Sequence, residues 1–268
     1  MQKKKRLIPV LLLKNGMLVQ SRNFTRHQNL GNPITAVKRL SEWASDELIY
    51  LDISRDNNYD LKRDDQGYEN IRSFLGIIEN ISKETFMPIT VGGKIKSLSD
   101  IEQRLKLCAD KVSINTHAFR NKKLINSAAK EFGSQCIVAS IDAKKIDKKF
   151  YSFVNCGREN TKIEVKEWIK IMEHEGAGEI FLNSIDHDGN GLGYNKELIE
   201  QIEDIKIPLI ICGGVGDYSD FEFGLKNKNV DAVAAANIFH HRDQSVYFAK
   251  KHLFEEGYSV RMHDIFEK

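Results

Sequence analysis

Read for the alternation of apolar and polar positions, the 268-residue chain falls into short apolar runs ending in polar or Gly-rich turns, each followed by a stretch of helical spacing. The runs lie at 7–13, 47–53, 87–91, 111–114, 136–141, 179–183, 209–212 and 232–235. Helical spacing predicts helices at 33–43, 68–81, 99–108, 122–132, 165–175, 196–205, 218–226 and 245–255. Eight such units predict an α/β fold, a closed (β/α)8 barrel, rather than an open doubly wound sheet with fewer strands and one crevice. Barrels of this kind commonly occupy about 250 residues as one domain. No Pro-, Ser- or Gly-rich linker divides the chain, so one domain over 1–268 is expected.

A long internal period sharpens this expectation. The stretch at 10–16 lines up with 139–145, 46–53 with 178–185, 88–93 with 208–214, and 109–115 with 230–237. Four matched strand ends in the same order predict two fused half-barrels, about 1–130 and 131–268. Polar stretches at 20–32, 54–67 and 156–162 follow strands one, two and five, where they are surface loops or lids over the C-terminal face.

Composition changes this picture little but excludes several classes of function. Lys and Arg number 40 against 38 Asp and Glu, and a formal charge of +2 supplies no basic field for nucleic acid. The run 7–13 is too short for a signal-peptide core, and no stretch approaches the roughly 20 apolar residues of a membrane span. Cys108, Cys136, Cys156 and Cys212 are scattered without metal-ligand spacing. They read as reduced thiols of a cytoplasmic protein, with no metal and no cofactor expected.

The chemistry concentrates at strand ends. Gly92-Gly93 and Gly213-Gly214 each end a strand, and one strand later come Asn115-Thr116 and Ala236-Asn237. Glycine lets backbone N–H groups approach an anion, and the dipole of the following helix points to the same place. Each half thus offers a phosphate cradle, with Gly189 of the Asp188-Gly189 pair joining the second, and a substrate phosphorylated at both ends is implied. Asp142 ends strand five behind an apolar strand that raises its pKa toward the working range. Asp52, Asp186 and Asp188 are further acid–base candidates, and His187 is given no role. Under the internal symmetry Leu12 stands opposite Asp142, so the first half lacks the second carboxylate. Arg6, Glu47, Lys111 and Glu179 open strands one, two, four and six with alternating sign. They would close a ring of salt bridges at the N-terminal face, serving stability or gating a channel.

The motifs at 46–52, 90–93, 109–116, 141–144, 176–179, 184–189 and 212–214 together resemble the cyclase subunit of imidazole glycerol phosphate synthase, over essentially the whole chain. The resemblance implies a lyase of histidine biosynthesis that pairs as a heterodimer with a glutaminase on its N-terminal face, with Asp110 at that interface. It implies ammonia passing through the gate of Arg6, Glu47, Lys111 and Glu179, and acid–base work by Asp142 at the other mouth. The chain departs from the family at Leu12, where an aspartate is the principal acid–base group, at Lys94, where a third glycine stands, and at Gln20, where a lysine stands. The insertion 57–67 is foreign to the family. Loss of one of two proton-transfer groups costs about two to four orders of magnitude in rate, so ordinary cyclisation is expected to be weak. Relatives associated with surface (lipo)polysaccharide biosynthesis look like ammonia conduits for sugar-modifying amidotransferases, and this chain is similar to them in keeping the gate while losing the acid.

Overall fold

A strand that is apolar along its whole length must be covered on both faces, and a parallel sheet flanked by helices provides that cover. The computed structural model describes residues 4–43, 45–55, 59, 71, 73–83, 85–241 and 243–261. In chain order the strands are β1 (Arg6–Lys14), β2 (Met17–Arg22), β3 (Arg26–Gly31), β4 (Leu48–Asp52), β5 (Ile89–Gly92) and β6 (Lys111–Ile114). They continue with β7 (Ile137–Ile146), β8 (Lys149–Val154), β9 (Glu159–Glu164), β10 (Glu179–Ser184), β11 (Leu209–Cys212) and β12 (Ala232–Ala235). Eight of them, β1, β4, β5, β6, β7, β10, β11 and β12, form one parallel sheet that closes on itself. The closing register sets Asn183 of β10 opposite Asp142 of β7. Helices α1 (Pro33–Glu42), α2 (Phe74–Ile81), α3 (Leu98–Leu107), α4 (Thr116–Arg120) and α5 (Lys123–Phe132) cover the first half. The second half carries α6 (Val165–His174), α7 (Lys196–Glu200), α8 (Tyr218–Lys226) and α9 (Ser245–Glu255). The result is the (β/α)8 barrel that the alternation predicts.

The two-residue period of a strand sorts its side chains into two cores. On β1, Leu7, Leu11 and Leu13 face the helices, whereas Ile8 and Val10 face the barrel axis. The axial core also takes Ile49, Val138, Phe181, Ile210, Cys212, Ala232 and Ala234, and Leu12, Leu51 and Ala236 pack against it.

The stretches read as plain polar segments at 20–32 and 156–162 are largely strand. β2 and β3 form an antiparallel hairpin continuing from β1, and β8 and β9 form its counterpart on β7. Their exposed faces are polar, which hides them from an apolar search. Their tips turn on left-handed residues, Asn23 and Phe24 at φ of 52 and 58° and Asn155 and Cys156 at 57 and 54°. The tips meet: a methyl group on Gly157 would lie 2.9 Å from the Phe24 ring. α7 ends at Glu200 rather than near 205, with Gln201 as its C-cap, and Asp204 further on turns left-handed at φ of 54°. α2 begins at Phe74, capped by the Ser73 hydroxyl, which accepts from Gly76 N. Apart from Tyr59, the insertion 57–67 lies outside the described residues.

Aspartates just ahead of three strands accept hydrogen bonds from amides in the first two residues of neighbouring strands: Asp46 from Leu7 N at 2.9 Å, Asp110 from Ile89 N at 2.8 Å, and Asp231 from Leu209 N at 3.1 Å. Asp46 also meets Lys250 Nζ of α9 at 2.6 Å, with both side chains almost wholly buried. Burial lowers the Lys250 pKa while Asp46 opposes the shift. Removing one partner of such a pair strands a buried charge. Lys250→Met should therefore cost about 3–5 kcal/mol in urea unfolding, whereas Lys106→Met, at an exposed i,i+4 pair, should stay within about 0.5 kcal/mol of wild type. Equal effects from the two substitutions would contradict this account.

Candidate functional site

At the C-terminal ends of the strands the glycines are first of all packing requirements. A methyl group on Gly92 would lie 2.5 Å from Leu51 Cδ2, and one on Gly93, whose φ is 106°, 2.4 Å from the Asp52 carbonyl oxygen. In the second half the same test gives 2.7 Å from Asn183 Oδ1 at Gly213 and 2.1 Å from the Gly193 oxygen at Gly214. Gly189, at φ of 66°, sits 2.1 Å by this measure from the Ser21 oxygen.

The helices after the Gly-Gly turns do not present open N-termini, which corrects the expectation from the sequence. Asp100 Oδ2 accepts from Lys96 N and Ser97 N at 2.9 and 3.0 Å, ahead of α3. Asp220 Oδ2 accepts from Gly216 N and Asp217 N at 2.8 and 3.0 Å, ahead of α8. Both are capping boxes, so carboxylates of the chain itself already fill these positions. The next turns, α4 at Thr116 and the 3-10 turn Asn237–His240, begin with N–H groups that have no intrahelical partner.

Two chambers open at this face. The first, about 480 Å³, is lined by Leu12, Asp52, Gly93, Lys94, Asn115, Thr116, Asp142 and Cys156 among others. The second, about 610 Å³, is lined by Arg22, Arg26, Gly189, Gly216, Asn237 and His241 among others. Ser21 and His27 line both, so the β2–β3 hairpin stands between them. Gly92, Gly213, Gly214 and Ala236 do not line either chamber; they shape the backbone behind it.

Asp142 is buried at the floor of the first chamber, where desolvation, with a smaller push from the charge of Asp188, raises its pKa to about 7. Asn115 Nδ2 donates to its Oδ2 at 3.2 Å. Leu12 lines the same chamber with no proton to exchange. Asp188 plays a different part, in that its Oδ2 accepts from Ser21 Oγ at 2.6 Å and from Phe24 N at 3.1 Å, holding the β2–β3 hairpin. Burial raises its pKa and those two bonds oppose the rise. Asp188 does not line either chamber. Asp52 is engaged by Ser54 N at 2.9 Å and Lys94 Nζ at 3.3 Å, and Asp186 accepts from Lys145 N at 2.7 Å. Lys94 holds a left-handed φ of 55°, the conformation that a glycine would adopt without strain. His187 Nδ1 lies 2.7 Å from the Gly193 oxygen.

At the opposite face the four strand-start charges meet in a closed ring. Arg6 contacts Glu47 at 2.6 Å and Glu179 at 2.5 Å, and Lys111 contacts the same two carboxylates at 3.2 and 2.8 Å. The two carboxylates raise the Arg6 pKa against the opposing effect of burial. The axial apolar core begins immediately above this ring. Asp110 is exposed, and its side chain serves β5, as described above. Among the described residues no group of His, Cys, Asp and Glu is placed to hold a metal ion, and no helix is long and apolar enough to cross a membrane.

Residues 6–245 match the family described as histidine biosynthesis protein. The chain is 38% identical over 259 residues to the imidazole glycerol phosphate synthase subunit HisF of Natranaerobius thermophilus, covering 96% of this chain and 99% of that protein. It is also 38% identical to the subunit of the same name from Helicobacter hepaticus, over 96% of this chain and 98% of the relative.

The raised pKa of Asp142 has a definite sign in the stability of the fold. The folded state holds the proton more tightly than the unfolded chain, so this contribution is intact below about pH 4 and is lost as pH rises through about 7. Asp142→Asn should match wild type near pH 4 and exceed it by on the order of 3 kcal/mol at pH 8. Denaturant titrations at several pH values test this, and a difference that does not change with pH would refute it.

Proposed function

This chain belongs to the histidine biosynthesis protein family, in its HisF cyclase-subunit branch, and from that premise we propose that it is the synthase half of a glutamine amidotransferase complex. In this reading a glutaminase docks as a heterodimer on the N-terminal face, near Asp110, and its ammonia enters through the ring of Arg6, Glu47, Lys111 and Glu179. The observation that carries the proposal is this ring seated on an apolar axis. An apolar axis favours the passage of neutral ammonia over ammonium, whose charge would have to be desolvated.

At the other mouth a substrate phosphorylated at both ends is held by Gly93, Asn115 and Thr116 in the first chamber and by Gly189 and Asn237 in the second, with Gly92, Gly213, Gly214 and Ala236 shaping the backbone behind them. Asp142, with a pKa of about 7, is the acid–base group of a lyase-type reaction, and Asp188 supports it by fixing the hairpin. Cyclisation is weak because Leu12 offers no second proton-transfer group. Leu12 favours a second reading. Packed with Leu51 and Ala236 against the axial core, it carries the apolar lining up to the mouth. Such a barrel suits a cytoplasmic conduit that passes ammonia to a sugar-modifying amidotransferase of surface polysaccharide synthesis.

Co-expression with the glutaminase subunit of imidazole glycerol phosphate synthase should give co-purification and stimulated glutamine hydrolysis. Lys111→Ala should lower the yield of transferred ammonia per glutamine hydrolysed. No complex from a folded barrel would remove the amidotransferase reading. With ammonium and the cyclase substrate, Leu12→Asp should raise the rate by about a hundredfold or more, and a wild-type rate that the substitution does not raise would place the acid–base work elsewhere.

A further inference from the structure

Between the two chambers stands a residue that neither the phosphate cradles nor Asp142 accounts for. His27 of β3 lies across from Ser21 of β2 and, with it, lines both chambers. Its Nδ1 is 3.2 Å from Lys14 Nζ. An ammonium group can only donate, so Nδ1 accepts and the ring proton resides on Nε2. Burial and the Lys14 charge both lower the His27 pKa, which keeps the ring neutral. Nε2–H is then a donor, and among the described residues no acceptor is paired with it.

The strand phase adds a second observation. Lys14 and Leu12 are two residues apart on β1 and share its face, so the Lys14–His27 pair sits one pleat beyond Leu12, which lines the first chamber with His27. The hairpin carrying His27 is held in place on several sides. Asp188 binds Ser21 and Phe24, Arg22 Nε donates to Asn190 Oδ1 at 3.0 Å, and Asn237 Nδ2 donates to the Ser21 oxygen at 2.9 Å. The donor is thus preorganised before any ligand arrives.

We propose that His27 is a specificity-determining residue that donates from Nε2 to a hydroxyl or carbonyl oxygen in the middle of a ligand whose two phosphates occupy the two chambers. A neutral donor suits the uncharged centre of such a molecule, just as the cationic Arg22 and Arg26 of the second chamber suit the phosphate at that end. The inference rests on the double-phosphate reading above.

The test compares binding of ribulose 1,5-bisphosphate and inorganic phosphate to wild type, His27→Leu and His27→Gln by calorimetry, with ring-15N histidine spectra of the wild type. Loss of one neutral hydrogen bond should weaken bisphosphate binding by His27→Leu about three- to tenfold. His27→Gln, which retains an N–H donor, should recover most of that loss, and phosphate binding should be unchanged in both variants. The wild-type Nε2 resonance, identified by its absence in His27→Gln, should shift with bisphosphate and not with phosphate. Unchanged bisphosphate binding by His27→Leu, or an equal loss for both anions, would overturn the assignment. If neither anion binds the wild-type protein, the double-phosphate reading itself fails and the inference falls with it.

Discussion

Closure of the sheet is the constraint on which the other features depend. A barrel strand has helices on one side and the axis on the other, so β1 can carry Leu7, Ile8, Val10 and Leu11 in its middle and has no room there for an unpaired polar group. Polar chemistry is displaced to the strand ends. At the N-terminal ends charges are tolerated because they pair, as in the four-membered ring and in Asp46 with Lys250. At the C-terminal ends the hairpins and short turns leave space, and Asp142 sits where apolar strand gives way to cavity. Its proton affinity is a consequence of that position, since the closed barrel that desolvates it also denies it a cation.

The eight barrel strands were legible because their signal is the apolar run itself, and in β6, β11 and β12 the expected limits are also those observed. The ring was legible for a related reason: charges of alternating sign at the starts of barrel strands one, two, four and six can meet only once the sheet closes. The hairpins were not legible, because Gln20, Arg22, Arg26 and Gln28 on one, and Lys149, Glu159 and Lys162 on the other, are polar on the exposed face. A signal was available in Asn15-Gly16, a left-handed pair joining β1 to β2. Asp188 illustrates a further limit. The sequence places it at the catalytic face, but its geometry is that of a support for the hairpin. The N-termini of α3 and α8 illustrate the same limit, because Asp100 and Asp220 three residues beyond each cap are a capping-box pattern that the Gly-Gly signal overshadowed.

The internal repeat is clearest in these local devices. Capping boxes precede α3 and α8, aspartates tie down β5 and β11, and hairpins extend β1 and β7, each pair at equivalent places in the two halves. Against this regular background the differences between halves stand out: Leu12 against Asp142, and Lys94 against Val215. The first half-site thus carries a leucine where the second has an acid, and a lysine where the second has an apolar residue.

The ring of Arg6, Glu47, Lys111 and Glu179 contains two positive and two negative side chains in mutual contact. A compensated quartet of this kind projects little field beyond a Debye length of about 8 Å at physiological ionic strength. It therefore does not guide a macromolecule from afar. Encounters at this face that depend on the ring proceed at the pace of an unsteered orientational search, about 10⁵–10⁶ M⁻¹s⁻¹, and are indifferent to added salt.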